Sequence, residues 1–134
     1  MADEIRVAIE RDDDVVVARS EARQLGTELG FGATDLTLLA TAISEIARNI
    51  TAYAGRGEVI IRPCRAGGRE GVEVVARDEG PGIPDVEKAL RDGFTTGRGL
   101  GLGLPGARRL VDEFEIDTEV GRGTTVTMVK WRPR

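Results

Sequence analysis

The chain has 134 residues, one domain of ordinary size, and its 40% apolar and 31% charged residues suit a soluble globular fold rather than a disordered one. It contains no histidine and a single cysteine, Cys64. This excludes a Ser-His-Asp triad, an HExxH zinc site, a histidine phospho-acceptor, an internal disulfide and a cysteine-based zinc cluster. The net charge of -4 argues against a duplex nucleic-acid binder.

Ile5, Val7 and Ile9 alternate with Arg6 and Ala8, so residues 4–10 are expected to form a strand with one buried face. Asp12–Asp14 can cap a helix over 14–29 that stops at Gly30. Thr34 is the expected cap of the next helix. There Leu36, Leu39, Ile43, Ile46 and Ile50 recur at helical spacing up to an end near Ala54-Gly55. Strands at Glu58–Cys64 and Val72–Arg77 follow, joined by a turn at Gly67-Gly68. A short helix is expected at Pro84–Arg91, loop over 92–102, and a further helix at Pro105–Phe114. A hairpin of Glu115–Val120 and Thr124–Trp131 about Gly121-Arg122-Gly123 closes the chain. The sum is a single α+β domain over 1–134: a two-layer α/β sandwich, with helices on one face of a mostly antiparallel sheet. No charge-free stretch exceeds nine residues and acids appear by position 3, so neither a membrane span nor a secretory leader is expected. The expected location is cytoplasmic.

Three segments carry candidate chemistry. Glu45 and Asn49 are four residues apart and share one helix face bordering the apolar stripe. A carboxylate there can deprotonate a hydroxyl, and an amide oxygen suits Mg²⁺. The same residues also fit a solvated helix margin with a Glu45–Arg48 contact. Asp78-Glu-Gly80-Pro-Gly82-Ile83-Pro84 sets a carboxylate at a strand end beside glycines that allow close approach by a flat ligand. The other reading is an ordinary turn in which Asp78 bonds its own loop backbone. Glycines 97, 99, 101, 103 and 106 run up to and into the start of a helix and can cradle phosphates with backbone N–H groups. Gly101-x-Gly103-x-x-Gly106 matches the dinucleotide fingerprint literally, but loop rather than strand precedes it, so that reading is rejected. A P-loop is absent.

In this order the segments resemble the GHKL (Bergerat-fold) ATPase and kinase superfamily. Glu45-x-x-x-Asn49 resembles its N box, Asp78-x-Gly80-x-Gly82-Ile83-Pro84 its adenine box, Gly97–Gly106 its glycine-rich ATP lid, and Gly121-Arg-Gly-Thr124 its terminal Gly-Thr element. Ala42–Asn49, Asp92–Gly97, Gly103–Phe114 and Lys130-Trp131 are similar to the RsbT-type switch kinases of bacterial stress signalling. The resemblance implies an ATP- and Mg²⁺-dependent serine/threonine kinase. Its substrates would be STAS-domain antagonists of the stressosome, and once released it would activate a PP2C-type phosphatase controlling a sigma factor. It further implies Glu45 as general base and Asn49 as Mg²⁺ ligand. Asp78 would accept from the adenine amine, with Thr124 assisting. Gly80, Gly82 and Ile83 would line the base, Gly99, Gly101 and Gly103 the phosphates, and Arg98 would be a phosphate contact. The alternative is a non-catalytic nucleotide-binding module that regulates a sigma factor or phosphatase.

Overall fold

A computed structural model describes residues 4–82 and 103–133. Its elements run β1 (Ile5–Ile9), α1 (Asp12–Glu28), α2 (Ala33–Tyr53), β2 (Gly57–Ala66), β3 (Arg69–Asp78), α3 (Gly103–Leu110), β4 (Glu113–Glu119) and β5 (Gly123–Trp131). The five strands form one antiparallel sheet in the order β1-β2-β3-β5-β4, with the helices packed on one face, as the alternating and helical periodicities require. The expected helix at 84–91 and loop at 92–102 lie outside the described residues.

Alternation along each strand sends one set of side chains inward. Val7, Val59, Ile61, Val72, Val74, Ala76, Val126 and Met128 meet Leu39, Ile43, Ile46 and Ile50 of α2, and Ala18, Ala22 and Leu25 of α1. Each buried branched aliphatic removes enough apolar area from water to contribute about 1.5–3 kcal/mol. The opposite face is polar at its margins. Arg6–Glu58–Arg77 forms an ion-pair row across β1, β2 and β3, and Glu4, just before β1, joins Arg62 and Glu73 of β2 and β3 in a second. Between the rows, Ile60 and Val75 pair directly and are only 4% and 9% exposed.

α1 begins earlier than the pattern suggests because Asp14 reaches back. Its Oδ2 accepts the Glu10 and Arg11 backbone N–H groups at 2.9 and 3.0 Å, which satisfies donors at the helix start. Two expectations are corrected. Thr34 does not cap α2; the cap position is Gly32, and Thr34 lies inside the first turn. The helix is extended there because Phe31 is buried just before it and Asp35, in that first turn, pairs with Lys130 of β5 at 3.6 Å. Likewise the helix expected at Pro105–Phe114 ends at Leu110. Asp112 N–H already donates to the Val129 carbonyl, and Phe114 pairs with Met128 within the sheet. From that strand the ring packs, partly buried, against the core. Among the described residues no helix is long and apolar enough to cross a membrane.

Candidate functional site at one end of the sheet

The sheet and α2 converge at one end of the molecule. Asp78 is the last residue of β3, flanked in register by Gly57 of β2 and Thr124 of β5. The loop after Asp78 rests on the end of α2: a Cβ built on Gly80 would stand 2.6 Å from the Ala54 Cβ. On its other side the loop is held by the β4–β5 turn. The Pro81 carbonyl accepts the Gly121 N–H at 2.9 Å, and Gly82 lies 2.6 Å from the Glu119 carbonyl by the same Cβ measure. Gly82 has φ 80°, a left-handed conformation that glycine adopts without the strain a side chain brings. The turn that the two glycines and Pro81 force is thus wedged between helix and hairpin.

Asp78 is half-buried, and its Oδ1 accepts the Gly80 N–H at 2.8 Å. The turn reading of this residue is therefore correct for one oxygen. Oδ2 has no hydrogen-bond partner among the described residues and stays able to accept from a ligand. Beside it, Thr124 is 6% exposed and its hydroxyl lies 2.9 Å from that of Thr118. Thr118 Oγ1 donates to the Gly123 carbonyl at 3.1 Å. With the Thr118 proton so directed, Thr124 donates to Thr118 and keeps its lone pairs for an incoming donor. Asp78 and Thr124 together present acceptors, which suits an exocyclic amine.

Along α2 from Ala54 lie Asn49 and then Glu45, so that Glu45 stands about 13 Å of helix from the loop after Asp78 at 1.5 Å per residue. Both are partly covered, as residues on the margin of a buried stripe should be. The Glu45 side chain is 14% exposed, and Arg48, at 57%, brings its Nη1 to 3.5 Å from Glu45 Oε1. The i,i+3 contact anticipated for a helix margin is present, alongside the shared face of Glu45 and Asn49. Gly103 opens α3, which packs on α2 through the buried Leu104 and Ala107. Ile83, Arg98, Gly99 and Gly101 lie outside the described residues. No group of three His, Cys, Asp or Glu side chains among the described residues forms a metal cage. The amide oxygen of Asn49 is a hard donor of the kind that Mg²⁺ takes.

Two contributors were not singled out by motif. Thr118 orients Thr124 across the β4–β5 pair, and only the strand register reveals it. Gly57 stands opposite Asp78, and a single glycine at a strand start carries no sequence signal of its own.

Residues 9–130 match the family model described as a histidine kinase-like ATPase domain. The chain is 47% identical over 131 residues to the serine/threonine-protein kinase RsbT of Bacillus subtilis (strain 168), covering 98% of both chains. It is 32% identical over 120 residues to the anti-sigma F factor of Thermoanaerobacter sp. (strain X514), covering 85% of this chain and 82% of that one. Its fold matches the crystal structure of the RsbU and RsbW domains of Rv1364c from Mycobacterium tuberculosis at a TM-score of 0.64 and 22% identity. That match covers 98% of this chain and 34% of the longer one. The resemblance to the GHKL superfamily and to RsbT-type kinases, and the two-layer α+β fold it implies, are both borne out: this chain belongs to the histidine kinase-like ATPase domain family.

Proposed function

We propose that the protein is an ATP- and Mg²⁺-dependent serine/threonine kinase of a partner-switching pathway that controls a sigma factor. Its substrates are STAS-domain antagonist proteins, and when released it activates a PP2C-type phosphatase in the cytoplasm. The observation that carries the reading is the line Glu45, Asn49, Ala54/Gly80, Asp78: one helix bears a base and an amide, and its end abuts a carboxylate with a free acceptor oxygen. Such a line suits an extended nucleoside triphosphate. The adenine amine meets Asp78 and Thr124, and the metal-bound phosphates meet Asn49. The acceptor hydroxyl then enters beside Glu45, which takes its proton. Gly80, Gly82 and Ile83 border the base. Arg98, Gly99, Gly101 and Gly103 serve the phosphates. Transfer of a phosphoryl group needs chiefly positioning and charge neutralisation, so the lack of histidine is no obstacle.

The relative named as a serine/threonine kinase, nearly half identical over its length, supports this class of activity. The relatives named as anti-sigma F factors favour a second reading, in which the domain regulates by binding and uses nucleotide for shape. Incubation with γ-labelled ATP, Mg²⁺ and a panel of purified STAS-domain proteins separates the two. Labelled phosphoserine or phosphothreonine on a STAS protein is expected. Nucleotide binding without transfer to any of them gives the second reading the case.

A further inference from the structure

Gly57 occupies the seam between the helix that carries Asn49 and the strand that ends in Asp78. It is the first residue of β2 and pairs with Asp78 across the β2–β3 ladder. A Cβ built on it would collide with the carbonyl oxygen of Arg77 and stand 2.9 Å from Ile50 Cγ2. Its φ is not among the positive ones, so the backbone conformation itself would accept other residues. The demand for glycine here is one of space. Neither neighbour can yield freely. The Arg77 oxygen belongs to the backbone of β3, one residue before Asp78. Ile50 follows Asn49 in α2 and is 2% exposed, locked in the core. An added methyl must push the start of β2, the end of β3 and α2 apart by about 1 Å to restore ordinary van der Waals separation, which disturbs the seam that joins Asp78 to α2.

We propose that Gly57 is a positioning residue that sets the span between the adenine end of the site, at Asp78, and its phosphate end, at Asn49. The inference rests on the nucleotide site proposed above. A ligand held at one end is indifferent to that span; a ligand held at both ends is not, since a misplacement of about 1 Å breaks its simultaneous fit. Adenosine engages the Asp78 end alone, whereas Mg-ATP engages both.

The test is the pair of dissociation constants for adenosine and Mg-ATP, measured by titration on Gly57→Ala and on the unchanged protein. Mg-ATP should weaken about tenfold or more while adenosine stays within about threefold. Equal losses for the two ligands, or unchanged Mg-ATP affinity in a folded variant, overturn the proposal. If Gly57→Ala does not fold, two core substitutions at the same seam decide. Ile50→Leu removes the Cγ2 that abuts Gly57, and Ile50→Val keeps it. The ratio of the two constants should change in the first and match the unchanged protein in the second; identical ratios overturn the proposal. Asn49→Ala and Asp78→Asn separate this from the underlying site. If neither affects Mg-ATP, the nucleotide site is misplaced; if both do and the Gly57→Ala ratio is normal, only the seam argument fails.

Discussion

Replacing Asp78 by Asn probes the proposed adenine end with almost no change in shape. Oδ1 of Asp78 accepts the Gly80 N–H at 2.8 Å, so that position demands an acceptor. In Asp78→Asn the amide oxygen therefore takes the Oδ1 place, and the NH₂ group takes the place of Oδ2. An amine donor on the ligand then meets a donor on the protein. The loss is a hydrogen bond to a charged group, about 1.5–3 kcal/mol, which weakens ATP about 10- to 150-fold. The turn survives because the Gly80 N–H still finds its acceptor, so the melting temperature should move little. The same swap makes a further demand. Inosine triphosphate carries a carbonyl oxygen where ATP carries its amine, and the new NH₂ group can donate to it. Competition binding with the two nucleotides should show the variant's preference moving away from ATP toward the 6-oxo base. A folded variant whose ATP affinity and ATP-to-ITP ratio are those of the parent protein would refute the placement of adenine at Asp78.

Asn49→Ala should weaken Mg-ATP more than metal-free ATP, read by calorimetry with and without the metal; equal losses remove Asn49 from the metal shell. Thr118→Val takes away the acceptor of the Thr124 hydroxyl, 2.9 Å distant, and lets Thr124 rotate. ATP affinity should fall several-fold, and less than in Asp78→Asn, because a neutral bond is at stake rather than a charged one. Asp14 provides a pH test of the fold. The backbone N–H groups of Glu10 and Arg11 hold its carboxyl below the ordinary range. A depressed carboxyl contributes stability that is present above the unfolded value, about 3.9, and is lost as pH falls through the lower folded value. Thermal melts of Asp14→Ala should therefore lie below the parent protein at pH 7 and converge with it in strong acid; a constant difference across that window would contradict the role of the ionised carboxylate.

Helix α2 and the strands were legible because their apolar residues repeat at periods set by backbone geometry, and because burial of those residues dominates the folding energy. The errors fell at ends. Thr34 has the chemistry of a cap, yet the buried Phe31 and the Asp35–Lys130 pair extend α2 past it. Phe114 continues a helical pattern locally, but it pairs with Met128 in the β4–β5 ladder and packs against the core from there. Both outcomes depend on partners far along the chain, which no local window contains. The site followed the same division. Glu45, Asn49 and Asp78 announce themselves through side-chain chemistry at fixed spacing. The second acceptor role of Asp78 was ambiguous, because its turn bond and a ligand bond use the same carboxylate, and the structure assigns one oxygen to the turn. The places of Gly57 and Thr118 beside Asp78 and Thr124 follow from strand register and steric space, properties of the assembled sheet and not of any motif.

In the proposed mechanism Glu45 takes the proton of an acceptor hydroxyl while ATP is held elsewhere. Single-turnover transfer from labelled ATP to a STAS-domain substrate, by Glu45→Gln at saturating nucleotide, tests it most directly. A general base typically contributes 10²- to 10⁴-fold in rate and little to ground-state binding. The variant should thus lose transfer by a factor on that order with ATP affinity within a few-fold of the parent. If Glu45 serves only its contact with Arg48 at 3.5 Å, transfer will run at the parent rate, and the proposed kinase mechanism is contradicted.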